Sequence, residues 1–192
     1  MSTLGFGILT LLARDSLNGY EISRLMQVPV GYMWTASHSQ IYGELAALEG
    51  DRLVRHQIVA GPGPRDTKRY TLTARGRRAL INWVDSPLAV QPARSELMLR
   101  VRGFWLLSPQ RCREFIESVR LDHEQRLAVY RAEDQAFTDE ALGVSDPAQW
   151  AFGSYATLQA GLRTQQAMID WCTWLLAQLD DQRSPAHTRS LR

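Results

Sequence analysis

From Ser37 to Tyr42 the chain reads Ser-His-Ser-Gln-Ile-Tyr, so Ser37, His38, Ser39, Gln40 and Tyr42 place five hydrogen-bonding side chains in six positions. Hydroxyl, imidazole and carboxamide groups at that density suit contacts to base edges and phosphates rather than the making and breaking of bonds. Downstream, between Arg52 and Arg78, eight basic residues (Arg52, Arg55, Arg65, Lys68, Arg69, Arg75, Arg77 and Arg78) stand against one acid, Asp66, although the whole chain carries a net charge of only +2. Such a concentration is the electrostatic footprint of phosphate binding. A charge run is more often a solvated face, and only its place in the fold separates the two readings.

Catalytic patterns are missing. His38, His56, His123 and His187 have no metal-type spacing, and H-x-x-x-H, C-x-x-C and G-x-S-x-G do not occur. Gly61-Pro-Gly-Pro-Arg-Asp-Thr-Lys68 lacks the spacing of a phosphate-binding loop. The expectation is a non-enzyme with no cofactor and no metal. Cys112 and Cys172 are too few and too far apart for a disulfide framework and are expected reduced and structural. With neither an 18-residue apolar run nor a signal-peptide pattern, the expected location is the cytoplasm, away from membrane.

The polar cluster must sit on a helix. Ser37 or Ser39 can cap it, Ile41, Leu45 and Leu48 form its inward stripe, and Gly50 is its stop. Ser39, Gly43 and Ala46 then lie on the outward side, where small residues allow close approach to a major groove. Leu53–Val59 and Lys68–Thr73 are strand-like runs separated by a proline- and glycine-rich turn, which makes a basic hairpin. Upstream, residues 3–14 are a helix facing inward through Leu4, Ile8, Leu11 and Leu12, and Asn18 caps a second over residues 19–27. After the hairpin Thr73 caps a helix carrying Leu80, Trp83 and Val84, ended by Ser86-Pro87.

Asn18-Gly-Tyr-Glu-Ile-Ser-Arg-Leu-Met26, Ser39-Gln-Ile-Tyr-Gly-Glu-Leu-Ala-Ala-Leu-Glu49 and Lys68-Arg-Tyr-Thr-Leu-Thr73, with Gly76 beyond, follow one another in the order found in the PadR family of bacterial transcriptional regulators, which this sequence resembles over about 80 residues. The resemblance implies a winged helix-turn-helix in which Ser37, His38, Ser39, Gln40, Tyr42 and Gly43 enter the major groove. It also implies that Arg65, Lys68, Arg69 and Tyr70 act from the wing and that Tyr20 touches the backbone. Where the family more often has glycine before Leu-Val this chain has Asp51-Arg52, which moves the turn to Gly50.

Beyond residue 88 the pattern changes to three helices, about 94–107, 109–137 and 147–181, with Ser108 and Asp146 as caps ahead of Pro109 and Pro147. The last carries Tyr155, Leu158, Leu162, Ile169, Cys172, Leu176 and Leu179 at three-and-four spacing, interrupted at Gln165 and Gln166. Amphipathic helices of about 40 to 50 Å need each other and a second copy to bury their stripes. The expected architecture is therefore mostly α: a winged helix-turn-helix domain over 1–87, an all-α helical dimerisation domain over 88–182, and a tail over 183–192. Six tryptophans are packing anchors or, for Trp34, Trp83, Trp105 and Trp150, the lining of a cleft for a small aromatic effector. The function expected is a homodimeric repressor on an inverted-repeat operator in double-stranded DNA. The other class is a helical module that uses the winged fold to bind protein.

Overall fold

Ser2 accepts the Gly5 amide at 3.0 Å and starts α1 (Thr3–Arg14). The computed structural model describes residues 1–26, 36–60, 66–88, 94–139 and 144–181. They fall into two compact units, Met1–Val90 and Gln91–Arg192. In the first, β1 (Leu17–Asn18) leads into α2 (Gly19–Leu25), α3 (His38–Gly50), β2 (Val54–Val59), β3 (Thr67–Leu72) and α4 (Ala74–Asp85).

Asn18 ends β1 and also caps α2: its side chain accepts the Glu21 amide at 2.8 Å while Glu21 accepts the Asn18 amide at 2.8 Å. The three strands run antiparallel in the order β1-β3-β2, with Leu17 opposite Tyr70 and His56 opposite Tyr70 on the other edge. Ile8, Leu9, Ile22, Ile41 and Leu45 are fully buried at the centre, so the inward stripe of α3 is part of the core that holds α1 and α2. Shortening Leu45 to Ala would cost about 2 to 5 kcal/mol, the ordinary price of a core cavity. Leu80 of α4 joins this core and Trp83 stacks on Phe6 with ring centres 4.5 Å apart, whereas Val84, expected inward, is exposed.

The exit from α3 differs from the sequence expectation. Gly50 stays helical, and the left-handed position is Arg52, with φ 60°. Leu53 donates to the Leu48 carbonyl at 2.9 Å, closing a Schellman-type end in which Arg52 holds the place that usually belongs to glycine. A side chain there costs about 1 kcal/mol. The turn cannot move to Gly50, because burial of Leu53 against Leu48 fixes which residue must reverse the chain.

Thr73 then anchors the next helix. Its amide donates to the Leu53 carbonyl at 3.0 Å, its hydroxyl donates to the Arg52 and Leu53 carbonyls at 2.9 Å each, and it receives the Gly76 amide at 3.0 Å. Gly76 packs so closely that a Cβ would lie 2.1 Å from the Leu53 oxygen. Nothing larger than glycine fits.

The second unit has α5 (Glu96–Arg102), a 3-10 turn at Phe104–Leu106, α6 (Pro109–Asp139) and α7 (Trp150–Asp181). The helix expected over 94–107 breaks at Gly103, and Phe104 packs edge-on against Phe115 with centres 5.8 Å apart. Ser108 caps α6, accepting the Arg111 amide at 3.4 Å. Asp146 instead caps a separate turn by accepting the Ala148 amide at 2.9 Å, and α7 begins only at Trp150.

Helices α6 and α7 pair antiparallel: Arg113 forks onto Asp180, His123 meets Gln165 at 2.6 Å, Gln159 donates to Asp134 at 2.6 Å, and Phe137 lies against Tyr155. Gln165 does not interrupt the apolar stripe of α7. It occupies the buried position between Leu162 and Ile169 and is satisfied by His123. Cys112 and Cys172 are free and buried, as their spacing suggests, and burial pushes the Cys172 thiol up.

Glu133 is, like the Nε of Arg113, a discordant group in this pair. Its Oε2 is buried without a hydrogen-bond partner, and desolvation raises its pKa. A carboxyl raised on folding favours the folded state when protonated, a contribution present below the unfolded pKa and lost as pH rises through the folded value. Glu133→Gln should therefore raise the melting temperature at about pH 8, and the advantage should vanish by about pH 4. Thermal melts of both proteins across that range check it.

Candidate nucleic-acid interface

The first turn of α3 is held by a reciprocal cap. The Ser37 hydroxyl accepts the Gln40 amide at 3.3 Å, while the Gln40 side-chain oxygen accepts the Ser37 amide at 2.8 Å. Both side chains expected to read DNA are thus engaged with each other in the free protein. Ser39 lies 3.0 Å from the Ser37 hydroxyl, and His38 is held by the buried Ser23 of α2 at 3.1 Å. Gly43 faces open space, with nothing within 4 Å of the place a Cβ would take. Tyr42 is half-exposed, and its ring covers Gly19 so tightly that a Cβ on that glycine would lie 2.5 Å away. Tyr20 stands free beside it, 65% exposed. These residues form one outward face across the N-termini of α2 and α3.

The wing divides its residues. Side chains alternate along a strand, so Lys68 and Arg69 point to opposite faces of β3. Arg69 looks toward α2, where a guanidinium nitrogen lies 3.7 Å from the Glu21 carboxylate, whereas Lys68 is exposed opposite Ile58. Tyr70, expected on the DNA side, is only 6% exposed and belongs to the core, because it alternates onto the face with Val54 and Leu72. Burial, the Glu49 carboxylate and Tyr42 raise its pKa in that order. It positions the wing rather than reaching out. Glu49, from the last turn of α3, also pairs with His56 of β2, whose ring tilts against Tyr70.

The charge cluster divides as well. Arg65 lies outside the described residues, and Lys68 and Arg69 sit on the outer part of β3. Arg52, Arg55, Arg75, Arg77 and Arg78 are instead at the base of the hairpin, where Leu53 meets Thr73. The tryptophans expected to line a cleft are spread along the chain. Trp34 lies outside the described residues, and Trp83 is in the first unit against Phe6. Trp105, 82% exposed on the 3-10 turn, and Trp150, at the start of α7, stand at opposite ends of the α6–α7 pair. Among the described residues no helix is long and apolar enough to cross a membrane, and no group of three or more His, Cys, Asp or Glu could hold a metal.

Two family models divide the chain between them. Residues 8–82 match the transcriptional regulator PadR-like family, and residues 93–180 match the virulence activator alpha C-terminal region. The chain carries a PadR-like domain. It is a DNA-binding transcriptional regulator with a winged helix-turn-helix followed by a helical region.

The chain is 29% identical to the probable transcriptional regulator Rv1176c of Mycobacterium tuberculosis, covering 94% of this chain and 99% of that one. Bacillus subtilis PadR in complex with operator DNA superposes with a TM-score of 0.81 at 26% identity, over 93% of this chain and 100% of that one. The same protein has been solved with p-coumaric acid, at a TM-score of 0.76 and 26% identity over 93% of this chain and 99% of that one. The Vibrio cholerae virulence activator AphA matches at 0.74 and 26% identity over 94% of this chain and 99% of that one.

Sequence reasoning missed Ser23 and His56, and gave Glu21 and Glu49 as motif residues without a role. The Asn18-x-x-Glu21 spacing is a capping-box signal that could have found the role of Glu21, but contacts joining residues far apart in the chain leave no local mark.

Gly43 gives the sharpest test of the outward face. Glycine inside a helix costs up to about 1 kcal/mol relative to Ala, and no neighbour here requires it. Gly43→Leu should keep or raise the melting temperature while abolishing specific DNA binding, and Gly43→Ala should stabilise the fold with a milder effect. Gel-shift titrations beside thermal melts read both. Full affinity in a well-folded Gly43→Leu protein would mean that this face does not meet DNA.

Proposed function

We propose that the protein is a cytoplasmic homodimeric repressor that reads an inverted-repeat operator and is released by a small aromatic effector. In this reading it acts by binding, without chemistry of its own. The observation that carries it is the capped α3 with an open, small-residue face beside a basic wing, in a chain that follows an operator-bound relative over nearly its whole length. Ser39, Tyr42 and Gly43 would meet the groove floor, with Ser37, His38 and Gln40 exchanging their present hydrogen bonds for bases or phosphates. Tyr20 and Lys68 would hold the backbone. The two α3 helices of a dimer would read half-sites about one helical turn apart, roughly 34 to 36 Å.

Dimerisation through the second unit is supported by its surface. Leu99, Trp105, Leu106, Leu121 and Trp174 are all more than half exposed in the single chain, more apolar surface than a monomeric helical unit usually leaves in water. The effector class rests on the relative solved with p-coumaric acid.

A chain ended after Val90 should stay folded, sediment as a monomer and bind operator DNA at least about a hundredfold more weakly, because two linked half-sites gain from effective concentration. A dimeric fragment would put the main contact elsewhere. In the full-length protein affinity should fall steeply with salt as phosphate contacts release counterions. A protein-binding module would show no such dependence on DNA.

A further inference from the structure

Two local rules are broken at the base of the wing, both in favour of arginine. Arg52 occupies a left-handed position, φ 60°, where glycine would be relaxed. The first turn of α4 contains no acid and instead carries Arg75 and Arg77, with Arg78 next, against the positive end of the helix dipole. Arg55, on β2 opposite Thr71, lies two residues beyond Leu53, whose carbonyl accepts the Thr73 amide. All five side chains are exposed, and none forms an ion pair among the described residues. Stability given up twice at one place, for the same side chain, points to an anionic partner that relieves both.

The chemistry of the patch narrows the partner. Residues 51–55 and 73–78 expose no large hydrophobic side chain, whereas a protein interface is built around apolar or aromatic anchors. A duplex backbone needs only cations, and arginine forks match phosphate oxygens. The patch also lies away from the operator face. The thirteen-residue α3 separates Arg52 from Ser37 by about 20 Å, and the six-residue strands put the patch a similar ~20 Å from the wing tip.

We propose that Arg52, Arg55, Arg75, Arg77 and Arg78 form a second, sequence-independent DNA contact, which holds phosphates of the duplex flanking the operator as it curves back along the wing. The proposal rests on the operator reading above and adds to it a length of DNA that no base contact specifies. Bending toward the patch is favoured because it exchanges condensed counterions for guanidinium groups.

The test uses the full-length protein and a duplex it selects from a randomised library, carried once on a core fragment and once with random flanks of about fifteen base pairs on each side. The wild type should bind the flanked fragment about tenfold more tightly at low salt, with a steeper salt slope. The triple variant Arg52→Gly, Arg75→Gln, Arg78→Gln should bind the core fragment as the wild type does, lose the gain from the flanks, flatten the flanked slope by up to about 2.7 units, and melt at a higher temperature. Equal wild-type affinity for the two fragments would overturn the proposal, and so would a triple variant that keeps the gain from the flanks. Equal loss on both fragments would also overturn it by assigning these arginines to the operator itself. A wild type that selects no sequence would count against the operator reading, which is a separate failure.

Discussion

One carbonyl joins the three parts of the winged unit. The Leu53 oxygen receives the Thr73 amide and hydroxyl and is capped by Gly76, which leaves it no room for another atom. Through it the end of α3, the base of the hairpin and the start of α4 are fixed to one point. The direction in which the wing leaves α3 is therefore set by hydrogen bonds that converge on one backbone carbonyl. A buried acceptor left unsatisfied costs about 1 to 3 kcal/mol, so movement of α4 relative to the wing would have to break several bonds together.

The outward face across α2 and α3 is organised differently. Its supports are buried or packed, with Ser23 under His38, Gly19 under Tyr42 and Tyr70 beneath the wing, while its contact groups are short and exposed. Ser37 and Gln40 satisfy each other in the free chain, which keeps α3 formed before any partner arrives. Glu21 does similar work on the wing side, since one carboxylate both caps α2 and holds Arg69. Positive charge on the wing side is thereby partly neutralised within the chain.

Local signals were legible in the sequence where the physics is local. The first helix matches its expected span of 3–14, Ser37 and Thr73 are the caps that their hydroxyls suggested, and the Ser108-Pro109 start of α6 is where proline and serine place it. Illegible features depended on partners distant in the chain. The two-residue β1 exists because β3 lies beside it, and Arg52 reverses the chain because Leu53 must be buried. Tyr70 and the opposed directions of Lys68 and Arg69 follow from strand alternation, which was available in the sequence but was outweighed by the visible clustering of charge. Gln165 looked like a break in an apolar stripe because its partner, His123, is on another helix.

That buried pair has a mechanical meaning. Sliding α7 along α6 by one turn, about 5.4 Å, would strip Gln165 and His123 of each other and drive Tyr130 off Gly161, where no Cβ could accompany it. An all-leucine seam has no such index and can creep. The α6–α7 pair is therefore indexed at several points and stiff against sliding. A ligand or partner that slid one helix along the other would first have to break those contacts.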